Sequence, residues 1–334
     1  MNNIKRIYGF IDLNKYFEQK YNLNTLDELD QNKLISAEFS TQKTAFWLDF
    51  YNNKVLFKDC KTNKSAYLEL INEELIKLIN LETAHYDLAK FDNYYGVITY
   101  DFKKENYKYI HLFSILLKYY KDIILNSNKL LNKGYKEVDK FNNLIDIKSA
   151  LEYYFKDNKN KNVIVSKLMI DIVKLFSFDL LMNQTDRHSA NYGIFINNDT
   201  KEVLLAPVFD YGESLNKNSK YYNSIVTDSN YFLNENKSKK YIIESFIQKF
   251  PKEYTDIFYE ILNIININTL NNAIKNVEYR CQTTIPKNIK EDIFDSFADN
   301  YIEIVNTIEN SKNNKDGVRK KWILWIDIQF LIKN

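Results

Sequence analysis

Glycine and proline are nearly missing from this chain, at six and three of its 334 residues. No segment therefore forms a glycine-rich loop that could cradle phosphates with its backbone. Only two cysteines are present, Cys60 and Cys281, far apart in the sequence. That excludes a disulfide framework and fits two free thiols in a reducing compartment. With three histidines in all, no Cys/His cluster suggests zinc. An excess of charge of one sign is also absent: 46 basic and 44 acidic residues leave a net +2. A protein that holds nucleic acid by bulk charge is disfavoured, and no direct nucleic-acid binding is expected. The N-terminus, Met1 to Gly9, lacks an apolar run long enough for a signal peptide. Trp322 to Ile332 is apolar but carries Asp327 and is too short to span a bilayer. We expect it to form a buried helix or strand, with no transmembrane segment. The expected location is the cytoplasm, or export as an effector by a route without a cleaved signal. There is no internal repeat.

Hydrophobic residues make up 45% of the chain. A chain of this length can bury a large core as one large or two smaller domains. With glycine so scarce, its placement is informative, and Gly193, Gly212 and Pro207 all fall in one 30-residue stretch. That stretch reads Asn183-Gln-Thr-Asp186-Arg187-His188-Ser-Ala-Asn191 and ends Ala206-Pro-Val-Phe-Asp210-Tyr-Gly212. Tyr192 to Ile196 and Glu202 to Leu205 are apolar and β-prone, and Asn197 to Thr200 between them is turn chemistry. This predicts a β-hairpin whose open ends carry Asn191 and Asp210, with Asp186 nearby. Such a set suits magnesium-dependent phosphoryl transfer. One carboxylate, Asp186, orients the attacking hydroxyl, while the amide of Asn191 and the carboxylate of Asp210 hold the metal.

The Asp186-x-x-x-x-Asn191 spacing and Asp210-Tyr-Gly212 resemble the kinase catalytic loop and its metal-binding Asp-Phe-Gly element. The wording Asn-x-x-Asp-Arg-His-x-x-Asn followed by Pro-x-Phe-Asp-x-Gly resembles the HipA-like branch of atypical serine/threonine protein kinases. Short single-chain members of the CtkA type have about this length. The Asp-Arg-His-x-x-Asn core is shared with phosphatidylinositol kinases. The resemblance implies an α+β, two-lobed kinase-like fold. Its N-lobe (residues 1–103) would hold a β-sheet and one helix, and its helical C-lobe (104–334) the catalytic loop and metal-binding hairpin. It also implies ATP and Mg2+ as cofactors and a serine or threonine of a protein as acceptor, with autophosphorylation as a further expectation. A toxin–antitoxin setting follows from it too, with an antitoxin or a host protein as partner. The alternatives are a phosphatidylinositol-type lipid kinase, or a pseudokinase-like binding module acting through a protein partner.

A second hairpin is predicted from Thr44 to Asp59 around Asn52-Asn53. Alternation puts Val55 and Phe57 on one face, Leu56 and Lys58 on the other. By resemblance, Val-Leu-Phe-Lys58 is the strand whose lysine meets the α- and β-phosphates of ATP. An amphipathic helix over Glu69 to Leu81, with Leu70, Ile71, Leu75, Leu78 and Ile79 on its apolar face, would carry that lysine's glutamate. Spacing favours Glu69, whereas the helical wheel places Glu74 nearer the flank. Tyr94 to Phe102 reads as a strand, and by resemblance the backbone of Tyr100 and Phe102 would bond the adenine edge. Residues 36–44 fill the place of a phosphate loop, with Lys43, Ser40 and Thr41 within reach of phosphates and the latter two as autophosphorylation candidates. His188 is read either as a phosphate contact or as a brace for the loop, Arg187 as a bracing residue and Asn183 as a buttress. His85 and His111 are read as structural. From about 105 onward we expect helices, including Ile110–Leu125 and Val163–Met182. A polar activation or substrate-binding segment is expected over 213–239.

Overall fold

A computed structural model describes residues 9–21, 36–40, 43–60, 62–125, 138, 142–215 and 239–313. The first hairpin joins β3 (Lys43–Phe50) to β4 (Asn53–Asp59). The turn lies one residue earlier than expected: Tyr51 and Asn52 take φ of 48° and 64°, and Asn53 already pairs with Phe50. Both central residues of this tight turn are left-handed, which suits asparagine far better than tyrosine. Burial overrides that preference. The register buries Val55 and Phe57 and leaves Leu56 and Lys58 half-buried on the opposite face. A one-residue slip would drive Lys58 into the core.

These strands belong to a six-stranded sheet with β1 (Ile11–Asp12), β2 (Ser36–Ser40), β5 (Tyr86–Phe91) and β6 (Tyr94–Tyr100). Its order is β1-β5-β6-β4-β3-β2, antiparallel except for the parallel pair β1 and β5. One face packs Phe46, Phe50, Val55, Phe57 and Phe91 against Leu13 and Tyr16 of α1 (Leu13–Tyr21). Leu88 and Val97 of the sheet belong to a second, larger core with α2 (Asn63–Leu78).

Helix α2 starts six residues before the expected Glu69. Thr62 caps it by accepting from the Ser65 amide at 3.1 Å. Leu78, assigned from the sequence to its apolar face, is 45% exposed. The helix is buried on nearly every side between Ser65 and Ile76, so its early turns carry no amphipathic period to read. Its core continues without a break into the helices of the C-terminal part.

Beyond the sheet, the expected helix over Ile110–Leu125 is only partly present. Tyr107–His111 is β7, which pairs with β8 (Gly193–Asn197), and β8 with β9 (Val203–Leu205), in a three-stranded sheet. Alternating Tyr107, Tyr109 and His111 favour a strand, and the chain turns helical only at α3 (Leu112–Tyr119), which ends in a wider π-type turn over Tyr120–Leu125. Then follow α4 (Leu144–Tyr154), α5 (Lys161–Leu181), α6 (Lys239–Lys249), α7 (Lys252–Ile264), α8 (Ile267–Cys281) and α9 (Lys287–Asn313). A small β-rich lobe and a larger helical lobe make the expected α+β, two-lobed architecture.

Among the described residues no helix is long and apolar enough to cross a membrane. Cys60 and Cys281 are both buried free thiols. Thr41, residues 216–238 of the expected activation segment, and the apolar tail over 322–332 lie outside the described residues, as do the side chains of Ser40 and Lys43.

Candidate active site

The β8–β9 hairpin does what its sequence suggests: it opens onto an amide and a carboxylate. Ile194 faces Leu205 across the ladder, and the Ala206 amide returns to the Gly193 carbonyl at 2.9 Å. A Cβ on Gly193 would sit 2.4 Å from the Ile110 carbonyl oxygen, so the close approach of β7 needs glycine. At the open end, Asn191 Nδ2 donates to Asp210 Oδ2 at 3.1 Å and to the Asp186 carbonyl at 3.0 Å. One side chain thus ties together all three residues of the motif.

The returning strand is fixed from the other lobe. The Val208 amide donates to the Glu82 carbonyl at 3.0 Å, and the Ala84 amide to the Val208 carbonyl at 2.9 Å. Asp210 itself adopts φ 68°, a left-handed conformation that Asp tolerates better than most residues. Its amide donates to the Tyr86 hydroxyl at 3.0 Å, and its carbonyl accepts from Gln184 Nε2 at 2.7 Å. These two bonds hold a strained residue in place.

Lys58 arrives from β4. Its ammonium donates to Glu69 Oε1 at 2.9 Å and to Asp210 Oδ1. Burial alone would pull this lysine down, but the carboxylates of Asp210 and Glu69 hold its pKa well above the usual value. Glu69 is fully buried, and its second oxygen accepts from the Tyr211 amide at 2.7 Å. Glu74 turns elsewhere, to Arg280 and Lys77 at 3.0 Å each. A Cβ on Gly212 would lie 3.2 Å from Glu69 Oε1, so glycine leaves room for the carboxylate that Lys58 engages.

Asp186 is half-buried, and its carbonyl accepts from the His188 amide at 3.2 Å. His188 Nδ1 accepts from the Ala190 amide at 3.3 Å and its carbonyl from the Asn191 amide at 2.9 Å. Both bonds turn the loop back on itself. Arg187 is wholly buried: Nε and Nη2 meet Asp179 at 2.8 and 3.2 Å, and Nη1 donates to the Phe209 carbonyl at 2.6 Å. Its guanidinium also lies 4.7 Å over the Tyr211 ring. This one side chain joins α5, the loop and the segment before Asp210. Asn183, at φ 46°, accepts from Lys239 Nζ at 3.3 Å.

The other expected contacts lie at different depths. The Tyr100 amide donates to the His85 carbonyl at 3.2 Å and is therefore engaged inside the N-lobe. The Phe102 ring stacks on Phe209, next to Asp210, at 5.6 Å. The side chain of Lys43 lies outside the described residues, although its backbone opens β3. His85 is structural, its Nδ1 2.6 Å from Glu73 Oε1, whereas His111 is exposed and lies 3.1 Å from the Ala190 carbonyl of the loop.

Sequence reasoning did not single out Tyr86, Gln184, Asp179, Asn142 or Glu73. Asn142 Nδ2 donates to the Arg187 carbonyl at 3.0 Å. A lone acid in the apolar run Phe176-Ser-Phe-Asp179-Leu-Leu was the available sign of a buried ion pair. Tyr86 carried no such sign.

Taken together, the site presents a cation, a buried carboxylate that holds it, and an amide–carboxylate pair of hard oxygen donors. Among the described residues, no group of three or more His, Cys, Asp or Glu side chains could hold a metal by itself. The Asp210 carboxylate and the Asn191 side-chain amide are of the oxygen-bearing kind that suits Mg2+, and these two residues would hold such an ion if it entered with a nucleotide.

No family model matches the sequence, and no curated protein matches it either. Solved structures do. The proinflammatory kinase CtkA of Helicobacter pylori matches with a TM-score of 0.55 at 21% identity, over 82% of this chain and 97% of its own. The chain has the HipA-like kinase fold. HipA of Shewanella oneidensis MR-1, from a toxin–antitoxin complex with HipB and operator DNA, matches with a TM-score of 0.51 at 13% identity, over 89% of this chain and 69% of its own. At these identities the likeness concerns architecture, and the chemistry rests on the side chains described above.

Proposed function

We propose that this chain is an ATP- and Mg2+-dependent phosphotransferase, and specifically a protein kinase that acts on serine or threonine. The observation that carries the proposal is the meeting of Asn191 with Asp210 at 3.1 Å, on the same carboxylate that Lys58 engages while Glu69 holds it at 2.9 Å. Lys58 supplies a fixed positive charge for the α- and β-phosphates, and Glu69 keeps it aimed. Bound Mg2+ would neutralise phosphate charge, with Asn191 and Asp210 as its protein ligands. Asp186 accepts the hydrogen bond of the acceptor hydroxyl. As the hydroxyl oxygen bonds to the γ-phosphorus and the bond to the ADP oxygen breaks, the hydroxyl proton passes to the Asp186 carboxylate. Arg187 and His188 serve as braces of the loop. The Phe102 backbone is the proposed adenine contact, and the lobe boundary is placed at Lys103–Lys104, between β6 and β7. A protein partner, as HipA has in HipB, is part of the proposal, as is action in the cytoplasm.

The test is incubation of pure protein with γ-labelled ATP and Mg2+, alone, with a generic protein substrate, and with phosphoinositide vesicles. Label is expected on protein serine or threonine. Asp186→Asn and Asp210→Asn are each expected to lower transfer by roughly a hundredfold or more, with an unchanged circular dichroism spectrum. Label on lipid alone would replace the protein kinase reading with the lipid kinase one. Transfer to no acceptor would favour a binding module, and undiminished transfer by the double variant would overturn the site.

A further inference from the structure

Helix α2 carries Glu69 toward the cleft, and one turn later it carries Glu73 and Glu74 away from it. Arg280 meets both of these from the last turn of α8. Its Nη2 donates to Glu73 Oε2 at 3.0 Å and its Nη1 to Glu74 Oε1 at 3.0 Å. A third bond runs from Nη2 to the Tyr86 carbonyl at 3.2 Å. Glu73 is almost fully buried and also accepts from the Tyr86 amide at 3.1 Å and from Lys77 at 2.7 Å, with His85 Nδ1 at 2.6 Å. The Arg280 carbonyl in turn accepts from the Gly9 amide at 3.1 Å, next to β1. A helix about 200 residues downstream in sequence therefore grips the back of the N-lobe helix and the start of β5 with one forked side chain.

The grip leads to the site by two short routes. Along α2, Glu73 lies one turn from Glu69, which holds Lys58. Across β5, Tyr86 is bonded by Arg280 at its carbonyl and by Glu73 at its amide, and its hydroxyl receives the Asp210 amide at 3.0 Å. A planar guanidinium is suited to bridging two neighbouring carboxylates, where lysine would offer a single point charge.

We propose that Arg280 is a positioning residue: it holds α2 in the orientation in which Glu69 meets Lys58, so that docking of α8 sets the geometry of the phosphate-binding lysine. This deepens the kinase reading given above and rests on it for its consequence, but its geometry can be tested without any catalysis. The measurement is a double-mutant cycle on unfolding stability with Lys58→Met and Glu69→Gln, run in the native background and again with Arg280→Met or Arg280→Lys. The cycle isolates the coupling between Lys58 and Glu69 from the general cost of each change. We expect a coupling of roughly tenfold in the unfolding equilibrium constant with Arg280 in place. That coupling should fall by more than half with Arg280→Met and by an intermediate amount with Arg280→Lys. In transfer assays, Arg280→Lys should raise KM for ATP several-fold with a smaller change in kcat. An arginine that only adds stability would leave the Lys58–Glu69 coupling unchanged in both backgrounds, and that result overturns the proposal. Arg280→Lys keeps the charge and supplies a folded background if Arg280→Met does not fold. A protein that transfers phosphate to nothing would defeat the kinase reading while leaving the stability cycle intact.

Discussion

Lys58 sits between two carboxylates, and its raised pKa gives that arrangement a signature in pH. A lysine whose folded value exceeds its unfolded one contributes stability that is fully present below the unfolded value and is lost as pH rises through the folded one. The stability gap between the native protein and Lys58→Met should stay level from pH 7 to 9. It should narrow above about 10.4, the ordinary lysine value. Urea unfolding at stepped pH reads this directly, and a gap that widens with alkali would contradict the pairing. Arg187 is a different kind of cation, with no solvent exposure and a carboxylate, Asp179, that is equally buried. Burial pushes Asp179 up, against the attraction of Arg187. Such a pair specifies geometry more than it adds stability, which suits a residue that joins α5, the loop and Phe209. At this scale the sequence was informative where chemistry has fixed spacing. Asp186, Asn191 and Asp210 could be read because a loop and a hairpin of defined length separate them. Tyr86, Gln184 and Asn142 could not, because each acts through a bond to a backbone atom distant in sequence.

Between α2 and the Asp210-Tyr-Gly212 segment, the Tyr211 amide donates to Glu69 at 2.7 Å, and Gly212 packs beside the same carboxylate. An added methyl would crowd Glu69 Oε1 at 3.2 Å and touch Ser65 at 3.6 Å. Gly212→Ala should therefore cost about 1–3 kcal/mol of stability and weaken ATP binding several-fold. Thermal melting and nucleotide titration check both, and a variant with native affinity would show that the segment has slack. Elements with local alternation were legible: β3, β4, β8 and β9 announce themselves through β-prone runs and Asn-rich turns. The first turns of α2 were not, since a helix buried all round carries no period. Strand β7 was missed because its residues run straight into the apolar ones of α3, which masks the short Tyr107, Tyr109, His111 alternation that pairs it with β8. The turn at Tyr51–Asn52 shows a related limit, with burial of Val55 and Phe57 outweighing a local preference for the next asparagine.

Across the whole molecule, the small lobe and the helical lobe share the larger hydrophobic core, and α8 packs directly on α2. The two-lobed plan was readable through the family resemblance that the motif carries. The clasp at Arg280 was not, because it joins residues more than 200 positions apart. The proposed metal ligands Asn191 and Asp210 and the proposed phosphate-binding Lys58 meet through direct bonds, as one unit drawn from both lobes. The most direct test of that unit is an equilibrium titration of ATP into the native protein and into Asp210→Asn, each with Mg2+ and with a chelator. The native protein should bind ATP at least about tenfold more tightly with Mg2+, a difference of roughly 1.4 kcal/mol, and Asp210→Asn should lose that difference. Binding by the native protein that ignores the metal, or a variant that keeps the full metal effect, would contradict the account.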